Sequence, residues 1–245
     1  MNQRIKKYAK RLLSGLGINL TRNQRYDALS LKVMQRVISD NDNCIDIGAH
    51  EGEVLDEMLC FAPNGQHHAF EPIPEMYSAL VEKYKNDPRV EVHQIALADQ
   101  CGQTTFQHVT TNPAYSGLRR RTYKHDEKIT EIRVEQRALD TLIPNDFPVA
   151  FIKIDVEGAE YQVLKGAQET LKRTKPVIVF EHGLGASDHY GTTPEMVYDL
   201  LVDECGLTVS LLDRFVVDAP PLSRDDFRAE FYASRNYYFV AYHRR

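Results

Sequence analysis

The stretch Asn43-Cys44-Ile45-Asp46-Ile47-Gly48-Ala49-His50-Glu51-Gly52-Glu53-Val54 constrains the fold more than any other part of the chain. Ile45 and Ile47 lie in a run of high β propensity that ends in an acid and a turn of small residues. Beyond Gly52 the apolar residues Val54, Leu55, Met58 and Leu59 fall at helical spacing. That change of period reads as a buried parallel strand, a tight glycine turn and a helix start. Glycine lets the backbone come close to a ligand, and a helix start offers N–H groups without intrahelical partners. The segment therefore predicts a nucleotide-type site at the carboxyl end of a strand.

A dinucleotide fingerprint G-x-G-x-x-G starting at Gly48 needs glycine where His50 and Glu53 stand. The turn instead runs D-x-G-x-x-x-G from Asp46 to Gly52. It resembles motif I of the class I S-adenosylmethionine (SAM) methyltransferases, with His50 in place of their middle glycine. Asp46, Gly48, Ala49, His50 and Gly52 are thus the first expected cofactor contacts.

The following residues repeat the strand-then-polar pattern. Residues 66–71 read as a second strand ending in Glu71-Pro72. Glu71 lies about 20 residues beyond the first glycine, where an acid accepts hydrogen bonds from ribose hydroxyls. The plainer reading is a helix-start charge ahead of Pro74 and Glu75. Residues 90–97 alternate as one strand, whose end around Gln94 and Ala96 is expected to face the adenine. Residues 104–108 and 131–137 form an expected extra hairpin. The polar segment 110–128 between them, with Tyr115 and Ser116, reads as a lid that meets the acceptor. Arg119, Arg120 and Arg121 are either a solvated run or a contact for an anionic group.

Two more buried strands end in ionisable groups. Phe151-Ile152-Lys153-Ile154 runs into Asp155 and Glu157, and Val177-Ile178-Val179-Phe180 runs into Glu181 and His182. The carboxyl ends of strands in an α/β sheet share one rim, so Asp46, Asp155, Glu157, Glu181 and His182 are expected to converge. Thr193 ahead of Pro194 is an expected helix cap, and residues 207–212 and 236–242 are expected closing strands.

These pieces together resemble the FkbM family of SAM-dependent methyltransferases. The likeness rests on Ile45-Asp46-Ile47-Gly48-Ala49, Phe70-Glu71-Pro72, Ala138-Leu139-Asp140-Thr141-Leu142 and Lys153-Ile154-Asp155-Val156-Glu157-Gly158-Ala159-Glu160. It continues through Leu164-Lys165-Gly166-Ala167, Glu181 and Asn236-Tyr237-Tyr238-Phe239-Val240. His50-Glu51 departs from it, because members more often carry Asn and an aliphatic residue there. The resemblance implies an α/β, Rossmann-like class I methyltransferase fold: a mostly parallel seven-stranded sheet flanked by helices, with a small inserted hairpin or lid. It implies SAM as methyl donor and O-methylation of a sugar, a glycan precursor or a natural product. A catalytically silent SAM-binding module is the reading from another class.

A hydroxyl is a weak nucleophile at neutral pH, so a base is expected beside the methyl group. His182 is the first expectation, because imidazole titrates near neutrality; its plain alternative is a strand-end histidine bonded to a neighbour. Asp155 and Glu157 are the other catalytic choices, and Tyr115, Ser116 and Glu181 the acceptor contacts. Asp155, Glu181 and His182 resemble a hard-cation set, but no short-range ligand spacing supports it, and no metal is expected.

Composition limits the partners. The 245 residues carry a net charge of −5, which leaves no broad basic surface for nucleic acid. The basic residues concentrate in 1–25, where Ile5, Tyr8, Leu12, Leu13 and Leu16 share a helical face. That helix is expected to pack on the catalytic domain or on a second copy in a homodimer. Its alternative is a contact with an anionic membrane surface. A helical extension over 1–40, a further helix at 28–38 and a methyltransferase domain over 41–245 complete the division. Ser14, Gly15, Gly17 and Asn19 interrupt any signal-peptide core, so cytoplasm, or its face of the membrane, is the expected location.

Overall fold

The computed structural model describes residues 21–121, 123 and 126–244. The basic helix expected in 1–25 therefore falls, up to residue 20, outside the described residues. The first described helix is Arg22–Val37, which starts six residues before the expected 28. Thr21 and Gln24 form a capping box there, satisfying two N–H groups reciprocally. Tyr26, Ser30, Val33 and Met34 form its buried stripe.

Strand β1, Cys44–Ile47, is buried along its whole length and pairs in parallel on both sides. One neighbour is β2, His67–Phe70, and the other is β7, Phe151–Ile154. The sheet continues with β3 (Val90–His93), β8 (Val177–Glu181), β9 (Thr208–Leu211) and β10 (Tyr238–Tyr242), in the order β3-β2-β1-β7-β8-β10-β9. β10 is antiparallel to both of its neighbours, and the other pairings are parallel. Strand order reverses between β1 and β7, so a crevice opens at their carboxyl ends.

Alternation along the strands divides the core in two. Ile45, Ile47, Ile152, Ile154, Phe180 and Phe239 pack on one face; Cys44, Ala69, Phe151, Val179 and Val240 pack on the other. Full burial of a side chain such as Phe151 or Phe239 contributes about 1.5–3 kcal/mol, which explains why these strands read as continuous apolar runs.

Residues 90–97 are not one strand. β3 ends at His93, and β4, Ile95–Leu97, leaves for a second sheet of order β4-β6-β5. Gln94 sits at the break. β5 (Gly102–Val109) and β6 (Ile129–Arg137) are the expected hairpin, longer at both ends than the sequence pattern showed. The break lets β4 pair with β6 in parallel and hang the small sheet beside the crevice. Thr193 caps the helix Pro194–Tyr198 as expected, and a π-helical stretch, Asp199–Glu204, follows.

Gly48 (φ 81°) lies against β7 so closely that a Cβ there would stand 1.9 Å from the Asp155 carbonyl oxygen. Both the backbone conformation and the space demand glycine. Gly48→Ala is expected to cost about 3 kcal/mol or more, from left-handed strain and overpacking together. Chemical denaturation measures it, and an unchanged midpoint would mean that the turn does not rest on β7.

Candidate active site

The turn after β1 is held by Glu71, from the end of β2. Its carboxylate accepts the N–H of His50 and the N–H of Ile73, each at 2.9 Å. His50 itself takes a left-handed conformation (φ 49°). The helix Glu53–Phe61 follows, with Gly52 as its N-cap, and the backbone N–H of Leu55 near its start favours the charged form of Asp46. Asp46 Oδ2 is buried and has no partner among the described residues. Burial, opposed by Lys153, raises the Asp46 carboxyl to about 7. Glu71 is also raised by burial, against the pull of its two N–H donors.

Register builds the second half of the site. Asp46 on β1 lies beside Lys153 on β7, and Glu181 on β8 lies beside Tyr238 on β10. Asp155 follows β7 at the same level. Its Oδ2 accepts from Lys153 Nζ at 3.0 Å and from the Tyr238 hydroxyl at 2.5 Å. Burial pushes the Asp155 carboxyl up, but Lys153 and hydrogen bonds from Tyr238, Lys153 and Glu181 outweigh it and hold the group below its usual value. Glu181 is pushed well above its usual value by burial and by the charges of Asp155, Glu157 and Glu160. The two carboxyls are therefore driven apart, Asp155 toward its charged form and Glu181 toward its protonated form. Glu157 rises to about 8 through burial and Asp155, with Arg121 acting against them. Glu160 accepts the N–H groups of Val156 and Gly158, which fixes the turn after β7.

One cavity of about 280 Å³ connects both halves. Asp46, Gly48, Ala49, His50, Glu71, Pro72 and Ala96 line it, as do Asp155, Glu157 and Ser116. Asp27, from the helix Arg22–Val37, also reaches it. Ser116 is buried, and its hydroxyl accepts the Val109 N–H, so it fastens the lid. Arg121 pairs with Glu157 and lies 4.8 Å over the Tyr115 ring. Arg119 is exposed and donates to the His189 carbonyl, whereas Arg121 is half-buried against Glu157.

Four expectations need correction. His182 is fully buried, between the rings of Phe231 and Phe227, with Nδ1 3.0 Å from the Ser187 hydroxyl. Burial lowers it to about 3, and it does not line the cavity, so it is not placed to take a proton there. Ligand atoms of Asp155, Glu157 and Glu181 lie within 4.8 Å of one another, and His182 is outside that group. Lys153 and Arg121 are already paired with two of these acids. Gln94 is exposed at the strand break and lies outside the lining. Tyr115 is exposed on the lid, and Gly52 is buried against Tyr84, so neither lines the cavity. Sequence reasoning missed Lys153 and Tyr238 as site residues. A lone lysine inside an apolar strand was the available signal for the first.

Residues 46–207 match the family described as the methyltransferase FkbM domain. A 2-O-methyltransferase, NoeI of Sinorhizobium fredii, is 27% identical over 164 residues, covering 60% of this chain and 67% of that protein. The crystal structure of a methyltransferase FkbM from Methylobacillus flagellatus superposes with a TM-score of 0.52 at 17% identity. That match covers 84% of this chain and 44% of the solved one, and it supports the fold.

Packing is the role the structure gives His182. Its ring is held at about 3, against 6.5 in the unfolded chain, so the unfolded state binds more protons between these values. The stability that this neutral ring contributes is present above 6.5 and is lost as pH falls toward 3. His182→Asn is expected to cost about 2–4 kcal/mol at pH 7 through lost ring packing. The gap to wild type should narrow by roughly 2 kcal/mol between pH 7 and pH 5. Denaturant titrations at both pH values measure it, and a constant gap would place the imidazole in contact with solvent.

Proposed function

The chain belongs to the FkbM methyltransferase family, and on that premise we propose that it transfers a methyl group from SAM to a hydroxyl oxygen of a sugar or glycan precursor. The observation that carries the reading is the single cavity that joins the Asp46–His50 turn to Asp155 and Glu157.

The residues fit the cofactor. A glycine cradle that a Cβ would fill, an orphaned Asp46 oxygen and an acid-rich lining suit a ligand with a cationic centre and polar hydroxyls. Gly48, Ala49 and His50 would hold its amino-acid end, Glu71 its ribose hydroxyls, and Ile95, Ala96 and Leu97 its base. When bound, SAM supplies an electrophilic methyl group on a sulfonium.

The chain's own part is to orient the acceptor and take its proton. Asp155, held ionised by Lys153 and Tyr238, accepts a hydrogen bond from an acceptor hydroxyl. Glu157, raised to about 8, takes up in its carboxylate form the proton that the acceptor hydroxyl loses. Arg121 stabilises the carboxylate form of Glu157, the form able to take that proton. An acceptor rich in hydroxyls matches a rim rich in carboxylates, and NoeI, named for 2-O-methylation, gives independent support.

Calorimetric titration with SAM and, separately, NAD comes first, followed by methyl transfer to activated sugars and lipid-linked glycans. Saturable SAM binding without NAD binding, and methylated hydroxyls, are the expected results. No SAM binding by folded protein, or methylation on carbon or nitrogen, would overturn the reading. Glu71→Ala should weaken SAM binding about tenfold or more, because charge-assisted bonds to the ribose are lost. The rate should rise with pH through about 8 as Glu157 loses its proton, and Glu157→Gln should abolish that limb.

A further inference from the structure

Strands β2 and β3, at the edge of the sheet away from the carboxylate rim, bring three metal-type donors together. Their parallel register sets His68 beside Glu91 and Phe70 beside His93. Glu91 and His93 are two residues apart on a strand, so all three donors leave the same face. His68 Nδ1 lies 3.0 Å from His93 Nε2. Glu91 places one carboxylate oxygen 3.7 Å from the first nitrogen and the other 3.7 Å from the second.

Both rings are oriented by their surroundings. His93 stacks on Phe70, with centroids 4.5 Å apart and planes at 13°. His68 meets Phe147 edge-on at 5.0 Å, and the two imidazoles lie nearly parallel. Burial lowers His68 to about 4 and lowers His93 as well, so both are neutral and carry lone pairs at pH 7. Two neutral ring nitrogens at this distance share a single proton. In a tetrahedral zinc site, metal–ligand bonds of about 2.0–2.2 Å separate neighbouring donor atoms by roughly 3.2–3.5 Å. The observed separations of 3.0 and 3.7 Å bracket that range, so ring rotations of a few tenths of an ångström would suffice.

We propose that His68, Glu91 and His93 form a binding site for a divalent transition-metal ion of the zinc class, with its remaining coordination position open to water. Imidazole and carboxylate together suit zinc, cobalt or nickel better than magnesium or calcium. Coordination uses Nδ1 of His68 and Nε2 of His93. The ring that now donates the shared hydrogen carries it on its other nitrogen instead, so no proton need be lost. The ion would clamp β2 to β3 just before Glu71, whose N–H already bonds the His93 carbonyl at 3.0 Å.

The test uses the full chain without an affinity tag, freed of metal by a chelator. Titration with Co²⁺, followed by visible absorption, and with Zn²⁺, followed by calorimetry, should each saturate at one ion per chain with the absorption of four- or five-coordinate cobalt. His68→Ala and His93→Ala should each weaken binding by more than the roughly 10–100-fold typical of losing an outer-shell partner. Histidine ¹⁵N spectra of the wild-type chain, with and without Zn²⁺, should show coordination at Nδ1 of His68 and Nε2 of His93, which decides the matter if a variant fails to fold. No saturable binding, unchanged affinity in folded variants, or unshifted resonances of these two rings would overturn the proposal.

Discussion

A buried ammonium holds the rim of the sheet together. Lys153 is almost without exposure and stands between Asp46 on the neighbouring strand and Asp155 just beyond its own. At the effective dielectric of about 20 that applies to such sites, two unit charges 4 Å apart attract by about 4 kcal/mol. Desolvation consumes much of that gain. The pair is therefore better understood as a device for position than for stability. It keeps Asp155 ionised amid Glu157, Glu160 and Glu181, where every other neighbouring acid is pushed toward its protonated form.

That uneven distribution of protons gives similar carboxyls different work. Asp155 is held toward its charged form at fixed geometry, Glu181 is pushed toward its protonated form, and Glu157 lies near its point of change. Helix and sheet supply the scaffold without further chemistry: register aligns the groups, and Gly48 brings the turn against the Asp155 carbonyl. The proposed methyl transfer needs little beyond this alignment, because orientation and removal of one proton are its main demands.

Much of the architecture was legible because buried parallel strands announce themselves as apolar runs with polar ends. The Asp46–Gly52 turn, Glu71 and the convergence of three strand ends followed from that pattern. His182 escaped it. Successive strand residues face opposite ways, so when Glu181 turns to the rim, His182 turns away, and the aromatic helix Arg224–Tyr232 that receives it is distant in sequence. The break at Gln94 was equally hidden, since β3 and β4 share one alternating pattern while pairing with different sheets. Tyr238 was read as a buried strand residue, but its contact with Asp155 depends on β8 and β10 being adjacent, which no local pattern encodes.

The position of β10 sets an order of events during synthesis. It is inserted between β8 and β9, both of which are made before it. Until residues 238–242 have left the ribosome, the facing edges of these two strands have no partner in the native sheet. The hydroxyl that steadies Asp155 arrives with the same segment. A nascent chain can thus complete the Asp46–Gly52 turn long before the carboxylate end of the cavity is assembled.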